Sequence, residues 1–282
     1  RLMPLILPEH PPAESANSDA ESPLPIPWPE PGQPGNPVPE WTLEERLAWG
    51  ALPGVVTADP ADRAELLRAF AVVHLEEEMR REAMVKDWGA FLRFLRLAAR
   101  ESGQIVNYSA IAQESGLSVP TVKSHYQLLE DMFIGVPVPA WSGSPRKNLM
   151  SAGRFLLFDL GVRHAAAGVR PSTDAVRVSP GPFFEQWVGL ELWRRLQYLG
   201  TGSLHYLRTY AGAEVDYIVE HGDELTPVEV KWTENPTVSD ARHLLGFLDE
   251  NRKKSRRGFI VCRCRRPMQL HDRITAIPWH CL

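Results

Sequence analysis

Asp216 and Glu229, with Lys231 two residues further on, are the side chains best placed to do metal chemistry. They stand in Gly212 to Trp232, GAEVDYIVEHGDELTPVEVKW, where two runs of alternating apolar and polar residues flank the turn formers His221, Gly222, Asp223 and Glu224. A strand has a side-chain period of two. Val215, Tyr217 and Val219 therefore share a face, as do Val228, Val230 and Trp232, which leaves Glu214, Asp216, Glu229 and Lys231 on the other. A turn centred between Gly222 and Asp223 sets Asp216 opposite Glu229 and Glu214 opposite Lys231. Directly opposed Cβ atoms lie about 4.5–5.5 Å apart, and like charges at that spacing are destabilising. The pair needs a cation, a shared proton or open water. A hard cation such as Mg²⁺ takes one or two carboxylates and completes its shell with waters and phosphate oxygens. The competing arrangement is a surface hairpin with a Glu214–Lys231 cross-strand pair and two solvated acids.

The elements that must hold this hairpin are legible on both sides. Gly181 and Pro182 open a helix over Phe183 to Leu199, with Phe184, Val188, Leu192 and Leu196 as its apolar positions and Glu185, Glu191 and Arg194 as its charges. Strands are expected over Ser203 to Thr209, Ala213 to Glu220 and Thr226 to Trp232, and a helix over Ser239 to Glu250. After the basic run RKKSRR, Arg252 to Arg257, a last strand spans Gly258 to Cys264. The order is αβββαβ, a mixed α/β domain over residues 173–282, with Asp174 to Pro180 as the linker into it.

Upstream, residues 1–40 hold twelve of the 25 prolines and read as an extended linker that cannot build a packed core. The chain opens on arginine, which suggests a fragment, a processed product or an unusual start. Residues 41–172 read as helical. Trp41 to Leu52 starts an amphipathic helix, and Asp62 to Val85 continues the pattern with Leu66, Leu67, Phe70, Val73, Leu75 and Met79 as its buried side. Trp88 to Glu101 is a third helix. In NYSAIAQESGLSVPTVKSHYQLLEDMF, Ser109 caps a short helix ending at Gly116, and Ser118 caps the next, with Pro120 in its first turn. Helix, glycine-containing turn, helix is a helix-turn-helix signature. Two wing strands, Phe133 to Val138 and Arg154 to Phe158, complete a winged helix over about residues 88–160. Lys123 on the second helix and Arg146, Lys147 and Arg154 on the wing make a modest basic patch for DNA; the alternative is a plain packing module.

Composition sets the limits. The 282 residues carry a net charge of −4, so nucleic acid contact must come from local patches. Apolar runs fall far short of the roughly eighteen residues of a membrane span, and the start has no signal-peptide pattern. Cys262, Cys264 and Cys281 suggest neither a disulfide framework nor a zinc site, which fits small core residues in a reducing cytoplasm.

The Asp216 … Glu229-Val230-Lys231 pattern and the αβββαβ order resemble the PD-(D/E)XK nuclease fold, with Val215 where that pattern has proline. More widely, Trp41 to Leu282 resembles the C-terminal part of prokaryotic AAA-type ATPases, often called ATP-binding proteins, that end in a nuclease-like domain of unknown function. The segments that carry it are ERLAWGALPGVV, the helix-turn-helix run, RFLLFDLGV, FFEQWVGLEL, LRTYAGAEVDYIV and LTPVEVKW. The resemblance implies Asp216 and Glu229 as Mg²⁺ ligands, Lys231 as the group that orients or deprotonates water, and Glu185, or Glu191, as an added acid. Arg208 on the preceding strand would face phosphate or serve a structural ion pair. The resemblance also implies either a nuclease or a recognition module whose chemistry is lost. Phosphate-cradling loops of the G-x-x-x-x-G-K-[ST] kind are missing: no lysine here follows a glycine. ATP hydrolysis is not expected of this polypeptide, and a separate ATPase domain or chain is the expected partner.

Overall fold

Thr42 and Glu45 cap the first helix reciprocally: the Thr42 hydroxyl accepts the Glu45 N–H, and the Glu45 carboxylate accepts from the Thr42 N–H. This helix, α1 (Leu43–Trp49), opens the first of two compact units in the computed structural model, which describes residues 4–6, 9, 28, 41–74, 85, 87–141, 153–209 and 212–282. Among these residues, 41–137 and 153–186 belong to one unit, and 138–141 and 187–282 to the other. The division falls inside one helix, between Gln186 and Trp187, later than the sequence boundary at residue 173.

In the first unit α1 is followed by α2 (Pro53–Val56) and α3 (Arg63–Ala69). The expected long helix from Asp62 does not run on unbroken: a π-type turn, Phe70–His74, follows α3, and residues 75–84 lie outside the described residues. Leu67 is buried, whereas Leu66, one position round α3, is 44% exposed, and Val73, beyond the change from α to π spacing, is 54% exposed. Helix α4 (Trp88–Arg100) is capped by Asp87. Helix α5 (Tyr108–Ser115) is capped by Asn107, which accepts the Ala110 N–H, so Ser109 lies inside the helix instead of capping it. Gly116 turns the chain in the left-handed region at φ 74°, and Ser118 caps α6 (Val119–Asp131) with Pro120 in its first turn, as expected. Strands β1 (Gly135–Val138) and β2 (Arg154–Leu157) pair in a two-stranded sheet. Helix α7 (Leu160–Ala166) follows. Where the sequence reads as a linker the chain forms α8 (Thr173–Val178), because Ser172 accepts the Ala175 N–H and nucleates a turn.

Helix α9 (Pro180–Leu199) leads into the second unit. Its strands are β3 (Ser203–Arg208), β4 (Glu214–His221), β5 (Glu224–Val230), β6 (Gly258–Cys262), β7 (Met268–His271) and β8 (Ile274–Pro278), with α10 (Arg242–Glu250) between β5 and β6. The sheet order is β3-β4-β5-β6-β8-β7. β3, β4 and β5 form an antiparallel meander; β6 runs parallel to β5 and to β8. This is the αβββαβ order read from the sequence, extended by β7 and β8, which the sequence reading missed. Alternation along β4 sends Ile218 into a core with Leu244, Phe247 and Leu248 of α10. Tyr217, on the other face, meets α9 at Gly189, where a Cβ would stand 2.4 Å from the tyrosine ring and hydroxyl. Both faces of β4 and β5 are therefore covered, and every residue from Val215 to Val219 is buried. No helix among the described residues is long and apolar enough to cross a membrane.

Candidate functional site

The hairpin takes the register expected from its turn. Tyr217 pairs with Val228, Ile218 with Pro227, Val219 with Thr226, Glu220 with Leu225 and His221 with Glu224. Gly222 supplies the positive φ, 59°, that a two-residue turn requires. The paired ladder ends at Tyr217 and Val228; continued by one step, it would set Asp216 opposite Glu229.

These acids are not solvated surface charges. Asp216 is 8% exposed and Glu229 6%. Asp216 Oδ2 accepts the backbone N–H of Val230 at 2.8 Å, which ties the carboxylate of β4 to the end of β5. Lys231 Nζ donates to Glu229 Oε1 at 2.6 Å. The Lys231 backbone N–H donates to the Val261 carbonyl at 3.0 Å, which anchors this residue to β6. Burial pulls the Lys231 ammonium down, but Glu229, and behind it Asp216 and Asp240, outweigh burial and hold its pKa above the ordinary lysine value. Lys231 is thus a cation at neutral pH, held among three carboxylates.

Asp240 is the participant that the sequence reading missed. It lies in the short 3-10 turn Val238–Ala241, where its carboxylate accepts the Thr237 N–H at 2.8 Å. The signal was present as a Thr-x-x-Asp capping pattern ahead of α10. His243, also passed over, accepts the backbone N–H of Glu214 on Nδ1 at 3.4 Å. Arg208 is exposed at the end of β3, paired in register with Glu214.

Two carboxylates suit a hard cation that keeps several waters. Among the described residues no group of three or more His, Cys, Asp or Glu side chains is arranged to hold a metal ion. The proposed extra acids are engaged elsewhere. Glu185 forms an ion pair with Arg154 inside the first unit, and Arg154 is buried. Glu191 is buried against Arg195 at 2.9 Å, and Arg195 also donates to the Leu282 carbonyl at 2.6 Å.

In the helix-turn-helix region, α6 buries Val122, Tyr126 and Leu129, and Tyr126 lies edge-on to Phe94, Tyr108 and Phe155. His125 packs on Phe91 and Phe94, and burial lowers its pKa. The exposed face offers Lys123, which lies 5.3 Å from the Tyr108 ring centre, with Ser124 and Gln127. Gln127 donates to Asp131 at 3.0 Å. Arg154 is withdrawn into its pair with Glu185, while Arg146 and Lys147 lie outside the described residues. Lys123 is the exposed cation of the expected DNA patch among the described residues.

The fold class is mixed α/β, with a six-stranded mixed sheet in one unit and a two-stranded sheet in the other. Residues 40–173 match the model of "Domain of unknown function (DUF8612)", and residues 180–282 that of "Domain of unknown function (DUF4143)". A curated relative, an "Uncharacterized protein" of Haemophilus influenzae, is 25% identical over 210 residues, 73% of this chain and 50% of the relative. The chain thus spans about half the length of the curated relative it matches. No solved structure matches it.

Proposed function

We propose that this chain is the C-terminal module of an AAA-type ATP-binding protein, and that its second unit is a PD-(D/E)XK-like domain acting as a Mg²⁺-dependent nuclease in the cytoplasm. The observation that supports the reading is the hairpin register, whose continuation past Tyr217 and Val228 would set Asp216 opposite Glu229, with Lys231 paired to Glu229. The meander β3–β4–β5 followed by a crossover helix and a parallel strand supports the nuclease-like fold, whereas the matched domain models, both of unknown function, bear only on the link to ATP-binding proteins. Asp216 and Glu229 would hold the cation. Once bound, Mg²⁺ polarises a phosphate oxygen and lowers the pKa of a bound water. The protein's own part is positional. The Val230 N–H ties the Asp216 carboxylate to the end of β5, which fixes its position. Lys231 would orient or deprotonate a water, or neutralise phosphate charge. Cleavage of single- and double-stranded DNA should require Mg²⁺ or Mn²⁺ and be lost in Asp216→Asn and Lys231→Ala. Cleavage that persists in Asp216→Asn overturns this reading.

A second reading has its own observation. Glu185 is spent on Arg154, and the carboxylate cluster has no third ligand among the described residues, which favours a binding module without chemistry. Nucleic acid binding without metal-dependent cleavage is the result that selects it.

A further inference from the structure

Between α10 and β6 the chain places five cations in six positions, Arg252, Lys253, Lys254, Arg256 and Arg257, around Ser255. The backbone of this turn is pinned. Ser255 is buried, and its hydroxyl donates to the Leu225 carbonyl at 2.7 Å, while the Leu225 N–H donates to the Lys254 carbonyl at 2.8 Å. The Asn251 carbonyl accepts from the Lys254 and Ser255 N–H groups at 2.9 and 2.8 Å, and its side chain donates to the Phe247 carbonyl at 2.8 Å. The turn is thereby clamped to the start of β5, and all five cationic residues are exposed. Arg252 reaches Asp249 at 3.4 Å, but both are exposed, and such a pair contributes little. Asp249 is shared with Arg273, at 2.8 Å. Besides Asp249, exposed Asp223, Glu224, Glu250 and Asp272 are near the turn in sequence or pairing, and they confine the footprint to a few phosphates.

Charge alone distinguishes this surface. None of the large apolar side chains exposed among the described residues belongs to the turn. A basic segment that seats itself in a membrane adds apolar side chains for insertion, and a protein interface has an apolar centre. A chain of phosphates needs only exposed cations on a fixed backbone. We infer that the Arg252–Arg257 turn is a docking surface for the phosphate backbone of a nucleic acid. It lies toward the opposite end of β5 from Glu229: Leu225, to which the turn is bonded, is four residues away, on the order of 13 Å at about 3.3 Å per strand residue. The inference stands whether or not Asp216 and Glu229 support cleavage.

The test is fluorescence anisotropy of the whole chain with a labelled duplex and a labelled single strand of about 20 nucleotides, from roughly 50 to 200 mM KCl. The variants are Lys253→Ala/Lys254→Ala/Arg256→Ala, Arg68→Ala at an exposed cation of α3, and the single reversal Lys253→Glu, which serves should the triple variant fail to fold. Wild-type affinity should fall linearly with salt on a log–log plot. The triple variant should bind about tenfold or more weakly at low salt, with a slope shallower by about 0.9 for each phosphate contact removed. Lys253→Glu should shift in the same direction, and Arg68→Ala should bind as wild type. Three results overturn the inference: no salt-dependent binding by the wild type, the same affinity and slope in both turn variants, or binding to phosphatidylserine vesicles without binding to either nucleic acid.

Discussion

Lys231 donates to Glu229 at 2.6 Å across two positions of one strand end, with the acid buried and the amine partly exposed. Removing the amine by Lys231→Ala leaves a buried carboxylate without this partner. A broken buried pair costs about 3–5 kcal/mol, but Lys231 reaches solvent, so about 1–2 kcal/mol is expected in urea unfolding of the second unit. In Glu229→Gln the Lys231 pKa should drop, and NMR of its side chain reads this. The sign for stability follows from the raised value: the lysine's contribution is complete below its unfolded pKa and is lost only as pH rises through the higher folded one. Stability near neutral pH should not depend on its titration.

Gly189 has no room for a methyl group, since its Cβ would stand 2.4 Å from Tyr217. Gly189→Ala should destabilise the second unit by about 1–3 kcal/mol through overpacking. Tyr217→Leu in the same chain should recover part of that loss, and a thermal melt of both variants distinguishes this clash from a change in helix propensity.

His164 is buried in the first unit, with Nε2 3.1 Å from the Leu47 carbonyl, and burial lowers its pKa to about 4. The unfolded imidazole binds a proton near pH 6.5, so the folded state loses ground as pH falls from about 6.5 towards 4. The linkage amounts to roughly 3 kcal/mol at most. A His164→Gln variant should show a flatter fall of melting temperature over that range than the wild type.

Asp159 caps α7 through the Val162 N–H at 3.1 Å and also accepts the Ala51 N–H at 2.7 Å. It therefore joins two stretches more than a hundred residues apart, and Gly50 leaves it space: a Cβ there would lie 2.1 Å from the carboxylate. Asp159→Ala should cost about 2–3 kcal/mol, a lost cap plus a buried donor left unmet, in urea unfolding of the first unit.

The hairpin was readable because period-two alternation and a His-Gly-Asp-Glu turn fix register locally, and Asp216 opposite Glu229 follows from that register alone. What alternation could not convey is burial. The polar face of β4 and β5 reads as half solvated, yet α9 and α10 cover both faces, and the two acids are enclosed. The Glu185–Arg154 pair was likewise out of reach, since the two residues lie 31 positions apart and each carries a plausible independent role. β7 and β8 escaped because each is short and they are joined by Asp272 and Arg273, which lack a glycine or proline signal. The linker expected at Asp174 became α8 because a single serine cap outweighed the weak helix preference of TDAVRV.

The claim on which the account rests is that Asp216 and Glu229 share one divalent cation, and thermal unfolding with and without Mg²⁺ or Mn²⁺ addresses it without requiring activity. A cation that binds only the folded state at about 100 times its Kd stabilises by about 2.7 kcal/mol, which raises the melting temperature by several degrees. The wild type should show that rise, and Asp216→Asn, which keeps the shape and removes one charge, should show none while melting at or above the wild-type value in EDTA. A wild-type transition indifferent to both metals, or an equal rise in Asp216→Asn, would contradict the site.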